Sequence, residues 1–185
     1  MRTDLQGWSG MRRSALFALT GVAFFVFWVV ARPSFQMTAS MTEWPNVLWF
    51  SATLLSLAVA LPVFGRMVSG RWVVRLASIA GAGVALSSVA NIFEDGFQID
   101  WVFFIFILGT LILNVALLAL TIVIAWTVAG RHRLYALIPA GTLAGILLFV
   151  VAGGPVMLIT WLAAAAAAVM TSRLPMPRPT TSSTL

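Results

Sequence analysis

Apolar residues fill this chain in long blocks, and short breaks carrying arginine or carboxylate separate them. Residues 14–31 form the first block, entered through Arg12 and Arg13. The second, 46–64, has Pro45 at its head, where a missing N–H does no harm, and Pro62 near its end, where proline bends or finishes a helix. The third, 72–91, carries Arg75 one turn inside its boundary, close enough for the guanidinium to snorkel. The fourth, 101–127, exceeds the ~20 residues needed to cross hydrocarbon and is expected to tilt or to extend beyond the membrane.

The remaining stretch, 134–170, is too long for one span, and Gly153, Gly154 and Pro155 punctuate it near the middle. It divides into 134–151 and 155–170, antiparallel neighbours joined by a tight turn. The second of these is short, so a re-entrant or incomplete sixth helix is the alternative. The pattern predicts an all-α, polytopic transmembrane bundle of about six spans over residues 1–174. A disordered cytoplasmic tail follows at 175–185, with three prolines and a polar end. A cleavable signal peptide is the rival reading of the first block, since Val29 and Ala31 precede Arg32. The block is longer than the ~7–15 residues of a signal core, which favours a span.

Charge fixes an orientation for this count. The chain of 185 residues is 61 % hydrophobic and 9 % charged, too few charges to cover a soluble surface. Its eleven basic residues are all arginine, and they cluster between apolar blocks, which argues for topology and against nucleic acid. With the N-terminus inside and six spans, ten of the eleven fall on the inner side and only Arg32 outside. Four of the five acids, Glu43, Glu94, Asp95 and Asp100, fall outside. Five spans would move Arg173 and Arg178 outward and lose the agreement. The prediction is a multi-pass protein of a bacterial cytoplasmic (inner) membrane with both termini inside. Trp8, Trp72, Trp126 and Tyr135 then mark the inner interface, and Trp28, Trp44, Trp49 and Trp101 the outer one. Trp161 falls within the sixth block, where it packs against the bundle or faces lipid.

Apolar helices in lipid associate through close packing and hydrogen bonds. The third block offers Ala77, Gly81, Ala85 and Ser88 along one strip, with Gly83 and Ser87 on its neighbour. The fifth offers Gly141 and Gly145, with Pro139 expected to disturb its start, and the sixth offers six successive alanines, 163–168. These residues predict a packed centre made of the third, fifth and sixth spans.

Chemistry is sparse. The absence of cysteine removes disulfides and thiolate ligands, and a single histidine removes paired-histidine sites within one chain. No cofactor and no metal site is assigned. No hydrolytic triad, HExxH, Walker loop or dinucleotide loop occurs. Asn91, Glu94 and Asp95, at i, i+3 and i+4, share a face if the third helix continues through them. With Glu43 and Asp100 at the same level, and Trp44 and Trp101 as a wall, they are candidate ligand-binding residues of an acidic outer mouth. Asn114, midway along the fourth span, is the other candidate, because an amide there needs a hydrogen-bond partner or a wet cavity.

Three functions are compatible with this pattern. The first is a small membrane subunit, structural or partner-binding, whose partners are the lipid bilayer and another membrane protein or further copies of itself. The second is a solute or cation transporter with the acidic vestibule. The third is an enzyme acting on a lipid-linked substrate, with Glu94 or Asp95 as base. Phosphate-bearing lipids would need nearby cations, and only Arg32 lies on that side.

Overall fold

A computed structural model of the chain describes residues 44–68, 70–128, 130–148 and 155–163. The first block, Glu43, Arg131 and His132 as side chains, the Gly153–Gly154 break and everything beyond residue 163 lie outside what it describes. The described residues are helical, without strands. Helix α1 runs Trp44–Val68 and α2 runs Arg71–Asn91. A π-helical turn (Ile92–Gly96) and a 3-10 turn (Asp100–Val102) lead into α3, Phe103–Thr127. A longer 3-10 segment, Gly130–Ala136, opens α4, Leu137–Leu147, and residues 155–163 are again helical. Helices α1, α2 and α3 are each long and apolar enough to cross a membrane. Helix α4, even with its leading turn from Arg133, is shorter.

Helix α1 does not stop at Pro62 but continues to Val68. A proline at position 62 deprives the Ala58 carbonyl of its helical donor and places a ring on the helix surface. Gly81 of α2 lies directly against that notch. A Cβ at Gly81 would stand 2.7 Å from the Ala58 carbonyl oxygen and 2.8 Å from the Pro62 ring. Only a residue without a side chain fits, and its Cα–H can approach the freed carbonyl. One turn nearer the connection, Gly65 of α1 sits as tightly against the Ala77 methyl. The link between α1 and α2 is short because Gly70 takes φ 131°, a conformation that L side chains rarely adopt.

The two small-residue strips of α2 face different neighbours. Ala77, Gly81 and Ser88 meet α1, whereas Gly83 and Ser87 meet α3. A Cβ at Gly83 would lie 2.8 Å from the Gly109 carbonyl oxygen, and one at Gly109 2.7 Å from the Gly83 carbonyl oxygen. Backbone therefore touches backbone where α2 crosses α3. Around these contacts Leu57, Leu61, Phe64, Val73, Val84, Leu113, Leu117, Leu120 and Ile124 form the buried core.

The sequence predicted that the third, fifth and sixth spans share the centre. Among the described residues the third instead packs most extensively on the second and fourth, with α2 between α1 and α3. The segments predicted as the fifth and sixth spans meet where they are described, for Gly141 of α4 abuts the Thr160 side chain. Pro139 does not break α4. It sits in the helix's first turn, where backbone N–H groups lack an intrahelical acceptor in any case. Trp161 packs inward, 1 % exposed, with its ring edge-on to Phe64 of α1 at 6.4 Å.

Candidate functional site

At the end of the bundle where α2 turns into α3, polar side chains fall into two groups. The inner group ties helices together. The Ser88 hydroxyl donates to the Ser51 carbonyl at 2.9 Å, and the Ser51 hydroxyl donates back to the Ser88 carbonyl at 3.4 Å. The Asn91 amide donates to Ser51 Oγ at 3.1 Å. All three residues are buried. This clasp joins α1 to α2, and a second joins α2 to α3. There the Ser87 hydroxyl donates to the Phe106 carbonyl at 3.1 Å and lies 3.2 Å from Thr110 Oγ1, which becomes the donor of that pair. With no water in hydrocarbon, hydroxyls and amides are held by each other and by carbonyls.

The outer group holds the acids. After Asn91 the backbone widens into the π-turn, closed by the Phe97 N–H on the Ile92 carbonyl at 3.3 Å. The wider turn advances less per residue around the axis than an α-helix does, so the spacing that aligns Asn91, Glu94 and Asp95 in sequence is not kept. Asn91 is directed inward to Ser51, while Glu94 and Asp95 are half-buried on the turn. Gln98, at φ 60°, donates through its side-chain amide to the Asp95 carbonyl at 3.4 Å and helps close the loop. Asp100 is exposed at the start of the 3-10 turn.

An aromatic group flanks these acids. Trp44, the first residue of α1, stands edge-on to Phe97 with centroids 5.2 Å apart, and Phe97 tilts against Phe93 at 5.6 Å. Gly96 leaves room for the indole, since a Cβ there would reach within 2.8 Å of it. The sequence marks Trp44 as part of a wall but not Phe93, Gly96 or Phe97. Their contribution depends on the π-turn, which hydropathy does not reveal. Trp101 is exposed.

Asn114 lies half-buried in the middle of α3, away from this end. Its Oδ1 is buried and meets no hydrogen-bond donor among the described residues. Asn114 and the acids are thus separate features, and Asn91 belongs to the helix clasp. Among the described residues, no group of three or more histidine or carboxylate side chains is placed to hold a metal ion. The chain matches no protein-family model, no curated protein and no solved structure.

Proposed function

We propose that this chain is a structural or partner-binding subunit of a bacterial cytoplasmic membrane, built from about six spans with both termini inside. The arginine distribution supports the orientation, since ten of eleven fall on one side of a six-span arrangement. One observation carries the subunit reading. The polar groups at the α1–α2 and α2–α3 contacts, Ser51, Ser87, Ser88, Asn91 and Thr110, are engaged in holding helix to helix. A transporter uses such groups to line a path, whereas here they close the contacts around a buried apolar core. The protein then acts through its outward surfaces, on lipid and on neighbouring membrane chains.

Two measurements test this. The chain has no native cysteine, so single cysteines at Ser9, Thr42, Ser69 and Gly154 report topology cleanly. A membrane-impermeant thiol reagent on intact cells should label positions 42 and 154 and spare 9 and 69; the reverse at 42 and 69 overturns the orientation. Function is tested by reconstituting the purified chain in liposomes and following cation and amine flux. No saturable flux is expected. A flux lost in Glu94→Gln/Asp95→Asn would replace the subunit reading with the acidic-vestibule transporter.

A further inference from the structure

The opposite end of the bundle has a different character. Arg66 closes α1, Arg71 and Arg75 lie in the first turns of α2, and the short Gly70 connection brings all three together. Helix α3 runs antiparallel to α2, so its C-terminus and the following segment with Arg133 return to this same end. Arg66, Arg71, Arg75 and Arg133 are exposed. The described carboxylates, Glu94, Asp95 and Asp100, all stand at the other end. Four guanidinium groups therefore share one rim with no described carboxylate beside them.

This rim is built where a membrane interface would fall. Trp72 is 63 % exposed and Trp126, in the last turn of α3, is 83 % exposed. Leu134 and Leu137 are exposed just beyond. Amphipathic indoles at this level, with charge beside them, match the boundary between acyl chains and headgroups. Two arginines are also held in place. The Arg75 guanidinium lies over the Trp72 ring, 5.4 Å from its centroid, and Arg133 Nε donates to the Val128 carbonyl at 3.0 Å. Each such contact leaves further N–H donors on the guanidinium fork, whose geometry suits phosphate oxygens.

We propose that this rim binds the phosphate headgroup of an anionic glycerophospholipid, with Arg71 and Arg75 as its centre, Arg66 and Arg133 flanking, and Trp72 seated among the upper acyl carbons. The site commits to a lipid over free phosphate because the cations stand beside exposed apolar side chains, Trp72, Trp126, Leu134 and Leu137, which acyl chains can cover and a free phosphate cannot. It requires that the chain lies in a membrane and is independent of the subunit reading.

The test uses the full chain in neutral detergent, with phosphatidylglycerol, phosphatidylcholine or inorganic phosphate added at matched ionic strength. Lipid binding is followed by native mass spectrometry and by thermal shift. Phosphatidylglycerol should bind and stabilise saturably, and phosphatidylcholine should bind more weakly. At about five-fold per arginine near an anionic surface, Arg71→Gln/Arg75→Gln should weaken phosphatidylglycerol binding by roughly 25-fold. Both side chains are exposed, so the double variant is expected to fold, as circular dichroism would verify. Arg71→Lys/Arg75→Lys keeps the charge without the fork and should retain part of the affinity, providing a second variant should the first misfold. Equal binding of the two lipids overturns the proposal. So does a folded Arg71→Gln/Arg75→Gln variant that binds like the parent, or inorganic phosphate that reproduces the whole stabilisation.

Discussion

Replacing Gly109 with alanine adds one methyl where the backbones of α2 and α3 touch. That carbon would stand 2.5 Å from Ser87 Oγ, 2.7 Å from the Gly83 carbonyl oxygen and 2.8 Å from the Ser87 nitrogen. A close C···O contact in proteins is ~3.3–3.6 Å, so α2 and α3 must part by roughly 0.6–0.9 Å. Two of the three opposing atoms are backbone, which cannot rotate away. Moving the helices apart also strains the Ser87 bonds to Phe106 and Thr110. Overpacking costs about 1–3 kcal/mol and a lost intramembrane hydrogen bond averages about 0.6 kcal/mol, giving a total of about 2–4 kcal/mol. Gly83→Ala fills the same gap from the α2 side, so the double variant should cost less than the sum of the two. Unfolding by titration of a denaturing detergent into mild micelles, followed by circular dichroism, measures the difference. Ala82→Leu is the control, because Ala82 is exposed on the same helix and should change stability by no more than about 0.5 kcal/mol. If Gly109→Ala unfolds no more easily than Ala82→Leu, the backbone contact between α2 and α3 is not what holds them.

Ser51→Ala removes a donor to Ser88 and the acceptor of Asn91, and should lower stability by about 1 kcal/mol. Ser56→Ala, whose hydroxyl bonds only within its own helix to Ala52, should leave the same unfolding midpoint nearly unchanged. Gly70→Ala has room for its methyl, 3.5 Å from Val73, yet must hold φ near 131°, so a loss of about 1–3 kcal/mol is expected in the same titration. Gly81→Leu drives a side chain into the Pro62 notch and should lower the midpoint further than Gly70→Ala does. Glu94→Gln/Asp95→Asn should respond like the parent to divalent cations and organic amines in a thermal-shift series at fixed ionic strength. A saturable shift seen only in the parent would identify a ligand site at the π-turn.

Hydropathy located helices α2 and α3 almost to the residue, because a long apolar run bounded by charge has few other readings. The apolar run ends at 64, four residues before α1 does, because proline by itself predicts a bend or an end to its own helix at Pro62. The compensating feature is Gly81, nineteen residues away on another helix, and no local rule connects the two. The small residues of α2 were legible as packing surface. Their division between α1 and α3 was not, since strip spacing gives direction around an axis without saying which helix lies there. Asn91 shows the same limit at the candidate site. Its spacing to Glu94 and Asp95 suggested a shared mouth, but the π-turn breaks that alignment and Ser51, forty residues earlier, takes its amide.

The Ser51–Ser88–Asn91 clasp also bears on how helices of this kind would enter a bilayer. The helices it joins are consecutive, and the Gly70 turn ties their other end, so the pair is a hairpin fastened at both ends. Its polar side chains find partners within the hairpin, before α3 has been synthesised. Two helices leaving an insertion channel together can thus pass into lipid with these groups already paired. Ser87 differs, because its partners, Phe106 and Thr110, belong to the next helix to be made. Its hydroxyl faces the side of the hairpin on which α3 will arrive, a polar foothold for the third helix of an assembly built in the order of translation.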